Sequence, residues 1–236
     1  MTWLLPNTDL LYIHIPKCGG TSIHKSLRRC AIDLDVPRFP QATLETVWPV
    51  GVMKKTPPHI KVSEYLALGY DLSQHHVFTQ VRDPYTRLVS VFYFFKRQDK
   101  ARVHGRNTQL KADIEFYKKR YSMFKHMTFE EFVKSFLDKE QQPLLLDKWI
   151  VESTSQLVYG LTPQHMWTDG HPVQIFKMEK AQRAVKFIER KMGRKFFYRH
   201  MKWQRIQDYM GHYTDETREL VYEYYKQDFV KFDYAA

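Results

Sequence analysis

Residues 10–22 read LLYIHIPKCGGTS, and this stretch decides the fold. An apolar run ends at Pro16. Lys17, two glycines and two hydroxyl residues follow, before a segment with helical spacing. This order predicts a buried strand, a tight loop and the start of a helix, because apolar runs favour buried parallel strands and glycines permit sharp turns. The sequence therefore predicts an α/β protein whose first buried strand leads into a sharp loop.

The loop has the features of an anion-binding site. The first amides of a helix have no partner within the helix, and the helix dipole favours negative charge there. Lys17 adds a positive charge, and Thr21 and Ser22 add hydroxyl donors. In the common nucleotide-binding P-loop the lysine follows the glycines, whereas Lys17 precedes Gly19 and Gly20. These residues predict a phosphate or sulfate site, and the alternative is a plain Gly-Gly turn.

The composition restricts the class of protein. With 236 residues and 43% hydrophobic content, the chain is large and apolar enough for a single domain over residues 1–236,. A formal net charge of +11 attracts anions such as nucleotides, nucleic acid, acidic glycans or anionic membranes,. Two cysteines indicate no disulfide framework,. No apolar run reaches the roughly 18 residues of a membrane span. The expected location is cytoplasmic, or the Golgi lumen if an anchor has been trimmed away.

Further elements follow from periodicity and capping residues. Residues 75–81 (HHVFTQV) and 173–178 (VQIFKM) predict two strands parallel to the first, at residues 10–15,. Helices are predicted over residues 21–31, 59–70, 180–192 and 214–229, after Asp83-Pro84 and after the capping box that begins at Thr128. These elements predict a P-loop-like parallel sheet flanked by helices, with a mainly helical carboxyl-terminal half.

A second motif lies at residues 77–90, which read VFTQVRDPYTRLVS. It places Arg82 directly after a predicted strand and Ser90 on the next helix. Ligands of open α/β sheets bind at the carboxyl ends of strands, so Arg82 can meet the same ligand as the first loop. A guanidinium offers a planar fork to phosphate oxygens, and a serine hydroxyl can add a hydrogen bond. The alternative is an arginine that only pairs with a helix end.

Together the two motifs resemble sulfotransferases that use 3′-phosphoadenosine 5′-phosphosulfate (PAPS). The first is similar to their 5′-phosphosulfate loop, and the R-D-P-x-x-R-x-x-S pattern of residues 82–90 is similar to their 3′-phosphate element. The glycan O-sulfotransferase branch, which includes the heparan sulfate 6-O and 2-O enzymes, is resembled at three more places. These are HIKVSEY at residues 59–65, IFKME at residues 175–179 and YYKQDFVKFDY at residues 224–234. Residues 96–170 match no pattern, and the branch's amino-terminal membrane anchor is not seen.

The resemblance implies transfer of a sulfuryl group from PAPS to an acceptor hydroxyl, with 3′,5′-adenosine bisphosphate as product and no metal. It implies that His59 is the general base and that Lys17 stabilises the leaving phosphate. The implied donor-binding residues are Lys17, Cys18, Gly19, Gly20, Thr21, Ser22, Arg82, Ser90, Lys202 and Arg205. The implied acceptor is a saccharide, and the net positive charge suits an acidic one,.

Several alternatives stay open. His59 follows two prolines, so the alternative to a base is an exposed loop histidine. His14, His104 and His165 are weaker candidates for the base. The acceptor could be a non-saccharide alcohol, a phenol or a tyrosyl peptide. An ATP-dependent phosphotransferase fits less well, because the lysine precedes the glycines. A non-catalytic binder of polyanions fits the charge but not two anion motifs. No nucleic-acid partner is expected, and oligomeric state is not predicted.

Overall fold

The computed structural model describes residues 3–4, 9–33, 59–67, 69–104, 122, 124–137, 160–198 and 208–236. The chain clusters into two compact units, each assembled from two separate segments. The first unit comprises Met1–Arg82 and Gln164–Arg205, and the second comprises Asp83–Pro163 and Ile206–Ala236. A single domain over residues 1–236 stays a prediction.

A four-stranded sheet lies in the first unit, in the order β1-β2-β3-β4. The strands are β1 Trp3–Leu4, β2 Leu10–Ile13, β3 His76–Val81 and β4 Gln174–Lys177. β2, β3 and β4 are parallel, with Tyr12 opposite Phe78 and Thr79 opposite Ile175. The three predicted strands are therefore confirmed, within one or two residues at their ends. β1 pairs antiparallel to β2 and was not predicted.

Helices flank this sheet and dominate the carboxyl-terminal half. They are α1 Gly20–Asp33, α2 Val62–Ala67, α3 Pro84–His104, α4 Phe129–Leu137, α5 Gln182–Met192 and α6 Asp215–Phe232. The predicted fold class, a parallel sheet flanked by helices with a mainly helical carboxyl-terminal half, is confirmed. α2 is shorter than the predicted helix at residues 59–70, because it begins where Glu64 accepts a hydrogen bond from the Lys61 amide at 2.8 Å,.

One face of the sheet is covered by α1 and α5. Their apolar side chains form a core with those of β2 and β3 and with Phe196, which follows α5. The other members are Leu10, Tyr12, Ile23, Leu27, Phe78, Val185 and Ile188. Burying each aliphatic side chain contributes about 1.5–3 kcal/mol, so this core holds the strand ends in a fixed arrangement. The carboxyl edge of the sheet is thereby a rigid platform for the loops that follow β2, β3 and β4.

The second unit is helical, and α6 packs against α3 and α4 through an aromatic core. The predicted caps are confirmed. Asp83 accepts a hydrogen bond from the Thr86 amide at 2.8 Å, and Thr128 and Glu131 form the predicted capping box. Thr214 caps α6 by accepting from the amide of residue 217 at 3.2 Å,. Within the described ranges, no helix is both long enough and apolar enough to cross a membrane.

A buried tyrosine interrupts the regular geometry of α6. Tyr225 has non-helical backbone angles, and its hydroxyl donates a hydrogen bond to the Leu161 carbonyl at 2.7 Å. Nearby, the buried Arg87 donates to the Thr162 carbonyl at 3.1 Å. Burial raises the pKa of the Tyr225 phenol far above its ordinary value,. The phenol of Tyr225 is therefore neutral, and its hydrogen bond stabilises the folded state of this unit.

Candidate functional site

The candidate site lies at the carboxyl edge of the sheet, within the first unit. Because β2, β3 and β4 are parallel neighbours, their carboxyl ends lie side by side. His14 and the Lys17 loop follow β2, Arg82 follows β3, and the short helix Met178–Lys180 follows β4. Two motifs that stand far apart in the sequence therefore meet at one edge, as expected for an open parallel sheet.

The loop between β2 and α1 has an unusual backbone. Lys17 has a φ of 68° and Gly19 a φ of 80°, so both lie in the left-handed region. This conformation costs a residue with a Cβ roughly 1–2 kcal/mol, and such outliers cluster at functional sites. The Ser22 amide then donates to the Gly19 carbonyl at 2.9 Å, which starts α1. The predicted strand, loop and helix start are all present.

Gly20 is held against the side chain of His14. A Cβ at this position would overlap the imidazole ring of His14, whose Cε1 atom would be only 2.8 Å away. A Cβ on Gly19 would stand 3.1 Å from Met178 and 3.4 Å from the Gln80 side chain. The two glycines therefore let the loop lie flat on side chains from the strand ends, in addition to permitting the turn.

His59 joins this edge through a hydrogen bond to the backbone. Its Nδ1 lies 2.8 Å from the His14 carbonyl oxygen, which can only accept, so Nδ1 carries the proton,. In the neutral ring the lone pair is then on Nε2. The ring centroids of His59 and His14 lie 4.6 Å apart. The Trp167 ring stands nearly perpendicular to the His59 ring, with their centroids 6.1 Å apart. His59 is thus an oriented, half-buried histidine, rather than an exposed loop residue.

Arg82 and the Lys17 loop are connected directly. Arg82 Nη1 donates to the Lys17 carbonyl at 3.4 Å. The backbone amide and carbonyl of Arg82 both bond the side chain of Gln164, each at 2.8 Å. The buried thiol of Cys18 donates to the same Gln164 oxygen at 3.1 Å. The structure therefore brings Lys17, Cys18 and Arg82 together and adds Gln164, which the sequence did not indicate.

The hydroxyl residues at the start of α1 differ from each other. Thr21 is exposed, whereas Ser22 is buried and its side chain hydrogen-bonds Tyr198. Burial raises the pKa of the Tyr198 phenol, and the hydrogen bond from Ser22 partly opposes this,. Tyr198 is a second residue that sequence reasoning missed, because nothing local to its position marks it as a neighbour of the loop.

Three predicted donor-binding residues lie outside the described part of the first unit. Ser90 is a half-buried residue of α3, in the second unit. Lys202 and Arg205 lie outside the described residues. Their roles in donor binding stay predictions, as does the role of every other residue assigned to the site.

The chemistry of the edge suits an anion. Lys17 and Arg82 supply two positive charges, and the start of α1 supplies the positive end of a helix dipole,. His59 supplies a nitrogen lone pair of defined tautomer. Among the described residues, no group of three His, Cys, Asp or Glu side chains is placed to hold a metal ion. Such an edge can bind phosphate groups and accept a proton next to them.

Comparison with known proteins agrees with this chemistry. A model of the Sulfotransferase family matches residues 1–235, nearly the whole chain. Searches of curated proteins and of solved structures gave no match. Members of the family transfer sulfuryl groups and generally use PAPS as the donor. The loop, the arginine after β3 and the family match lead to one conclusion: this chain is a member of the sulfotransferase family.

Proposed function

We propose that the protein transfers a sulfuryl group from PAPS to a hydroxyl of a saccharide, with His59 as general base. The observation that carries this proposal is the hydrogen bond from His59 Nδ1 to the His14 carbonyl, at the strand edge that also carries Lys17 and Arg82. It leaves the basic lone pair on Nε2, the tautomer that a general base requires.

Donor binding is proposed to use both positively charged motifs. Lys17, the glycines and the first amides of α1 hold the 5′ end of the donor, and Arg82 with Ser90 holds the 3′-phosphate. Lys202 and Arg205 are proposed as further contacts. The proposal rests on the tight glycine loop beside Lys17 and on the two cations, which match an anion with phosphates at two positions,.

The reaction follows from the chemistry of these groups. When bound, the donor supplies an activated sulfuryl group on a phosphate leaving group. His59 Nε2 takes the proton of the acceptor hydroxyl as its oxygen attacks the sulfur in line. The Lys17 ammonium stabilises the negative charge that grows on the leaving phosphate as the sulfur–oxygen bond breaks. The products are a sulfate ester, the bisphosphate and a proton that His59 releases to solvent.

A saccharide is proposed as acceptor because residues 59–65 and 224–234 are similar to the glycan O-sulfotransferase branch. The net charge of +11 suits an acidic saccharide, since a positive field attracts anionic chains,. Alcohols, phenols and tyrosyl peptides are the competing acceptors, and all of them present a hydroxyl to the same base.

Donor selectivity tests the proposal against its rivals. Calorimetry should show that 3′,5′-adenosine bisphosphate binds the protein far more tightly than 5′-adenosine monophosphate. The reason is that Arg82 and Ser90 are proposed to bind the 3′-phosphate, which the monophosphate lacks. Tighter binding of magnesium-ATP would favour a phosphotransferase. Heparin binding that falls steeply with salt, without competition by the bisphosphate, would favour a non-catalytic polyanion binder.

A further inference from the structure

We propose that Gln164 is a positioning residue that fixes the Lys17 loop and Arg82 relative to each other, and so sets the affinity for the donor. The inference rests on the proposed function, in which these two positions hold the two ends of the donor. Gln164 lies 82 residues beyond Arg82 in the chain and is not part of any motif found in the sequence. Its side chain nevertheless reaches both anion-binding segments.

Gln164 pairs with Arg82 as a neighbouring strand would. Its Oε1 accepts from the Arg82 amide and its Nε2 donates to the Arg82 carbonyl, both at 2.8 Å. β4 pairs with β3 as far as residue 81. The amide of Gln164 therefore bonds both backbone groups of the residue directly after β3, from which the guanidinium projects. Because both bonds are to the backbone, they hold the position of Arg82 whatever its side chain binds.

The same oxygen also holds the loop. Gln164 Oε1 accepts a hydrogen bond from the Cys18 thiol at 3.1 Å, while Arg82 Nη1 donates to the Lys17 carbonyl at 3.4 Å. Lys17, Cys18, Arg82 and Gln164 form a closed ring of contacts. Gln164 is completely buried, and buried hydrogen bonds are costly to break because water cannot replace the lost partner,.

The choice of residue is specific to an amide. A side chain must accept from one backbone group and donate to the other, and glutamine does both while remaining neutral. The short helix that it begins, Gln164–Trp167, also carries the Trp167 ring that packs on His59. One short segment, through its two buried residues Gln164 and Trp167, therefore contacts the loop, Arg82 and the proposed base.

Calorimetric titration with 3′,5′-adenosine bisphosphate tests the role of Gln164. Gln164→Ala should weaken binding at least about tenfold, because two backbone bonds and a thiol bond are lost. Gln182→Ala, at an exposed glutamine of α5 in the same unit, is the matched control and should bind as the wild type does. Thermal unfolding of each variant confirms that it is folded.

Gln164→Glu separates positioning from packing. The ionised carboxylate cannot donate to the Arg82 carbonyl, whereas the protonated acid has the shape and the donor of the amide. Burial beside a carbonyl raises the pKa of such a carboxyl. The affinity of Gln164→Glu for the bisphosphate, relative to wild type, should therefore be low near about pH 8 and recover towards about pH 5.5. Taking the ratio of affinities at each pH removes the pH dependence that the variant and the wild type share.

The outcomes separate the two proposals. Weak binding by Gln164→Ala with pH-dependent recovery by Gln164→Glu supports the inference. Wild-type affinity in Gln164→Ala overturns it and leaves the proposed function intact. If the affinity of Gln164→Glu relative to wild type does not change with pH, the inference is also overturned. This result is sufficient by itself if Gln164→Ala does not fold. A wild-type protein that binds no bisphosphate refutes the proposed function and the inference with it.

Discussion

Replacing Gly20 by alanine tests whether the anion loop depends on its contact with His14. A methyl group at this position would overlap three atoms of the imidazole ring. The ring must move by more than about 1 Å before ordinary carbon contacts near about 3.5 Å are restored. It cannot turn without disturbing neighbours, because it packs on the Tyr12 ring at 6.0 Å and on the His59 ring at 4.6 Å.

The magnitude follows from this packing. Overfilling a packed site costs about 1–3 kcal/mol, and the higher helix propensity of alanine at the first residue of α1 recovers less than about 1 kcal/mol. If the distortion falls on the loop, the dissociation constant for 3′,5′-adenosine bisphosphate should rise about 5- to 140-fold. We expect a measurable loss of stability together with this loss of affinity.

Calorimetry and chemical denaturation measure both effects, and two variants serve as controls. In Gly193→Ala, at the end of α5, the backbone strain of a φ of 65° remains, but no described atom lies within 4 Å of the new Cβ. That variant should lose about 1 kcal/mol of stability without losing donor affinity. His14→Ala removes the ring, so the double variant with Gly20→Ala should bind better than Gly20→Ala alone. Wild-type affinity and stability in Gly20→Ala would refute the reasoning.

The remaining predictions concern the proposed base, the proposed phosphate ligand and a buried phenol. His59→Ala should lower kcat about 10²- to 10⁴-fold while donor binding is kept. The exposed His126→Ala is its control, and unchanged turnover in His59→Ala would rule out the base. Arg82→Ala should weaken bisphosphate binding by about 2–4 kcal/mol if a buried phosphate contact is lost. An equal loss in the exposed Arg183→Ala would show a general charge effect instead. Tyr225→Phe should be about 1–3 kcal/mol less stable in denaturant near neutral pH, because the carbonyl it bonds loses its partner. Since burial raises the folded pKa of Tyr225 above the unfolded value of 10.0, its contribution is complete below that pH and is lost as pH rises through the folded pKa. The difference in free energy of unfolding between wild type and Tyr225→Phe should therefore become smaller above about pH 10. A difference that does not change with pH would contradict the assignment.

Much of the fold could be predicted because its signals are local. β2 is an apolar run that leads into Pro16, β3 leads into Asp83-Pro84, and Asp83, Thr128 and Thr214 mark helix starts by capping chemistry. β1 was missed because two residues are too short to show an alternating pattern. The limits of α2 were overestimated because capping by Glu64, three residues beyond Lys61, decides where that helix begins.

The contacts within the site were less predictable. Lys17, His59 and Arg82 stand out through motifs, but what orients them comes from remote parts of the chain. Gln164 bonds a residue 82 positions away, and a buried glutamine has no sequence signature that distinguishes it from a surface one. Likewise, the fit of Gly20 against His14 depends on the register at the strand end and on a ring orientation, which no spacing rule encodes.

Transfer of labelled sulfate tests the central claim most directly. The purified protein is incubated with PAPS carrying radioactive sulfur and with a panel of glycans, simple alcohols, phenols and tyrosyl peptides. The proposed function predicts label on a saccharide hydroxyl, formed in step with 3′,5′-adenosine bisphosphate and abolished in His59→Ala. Label on a non-saccharide acceptor would correct the acceptor class. No labelled product from any acceptor, together with no binding of the bisphosphate, would contradict the claim.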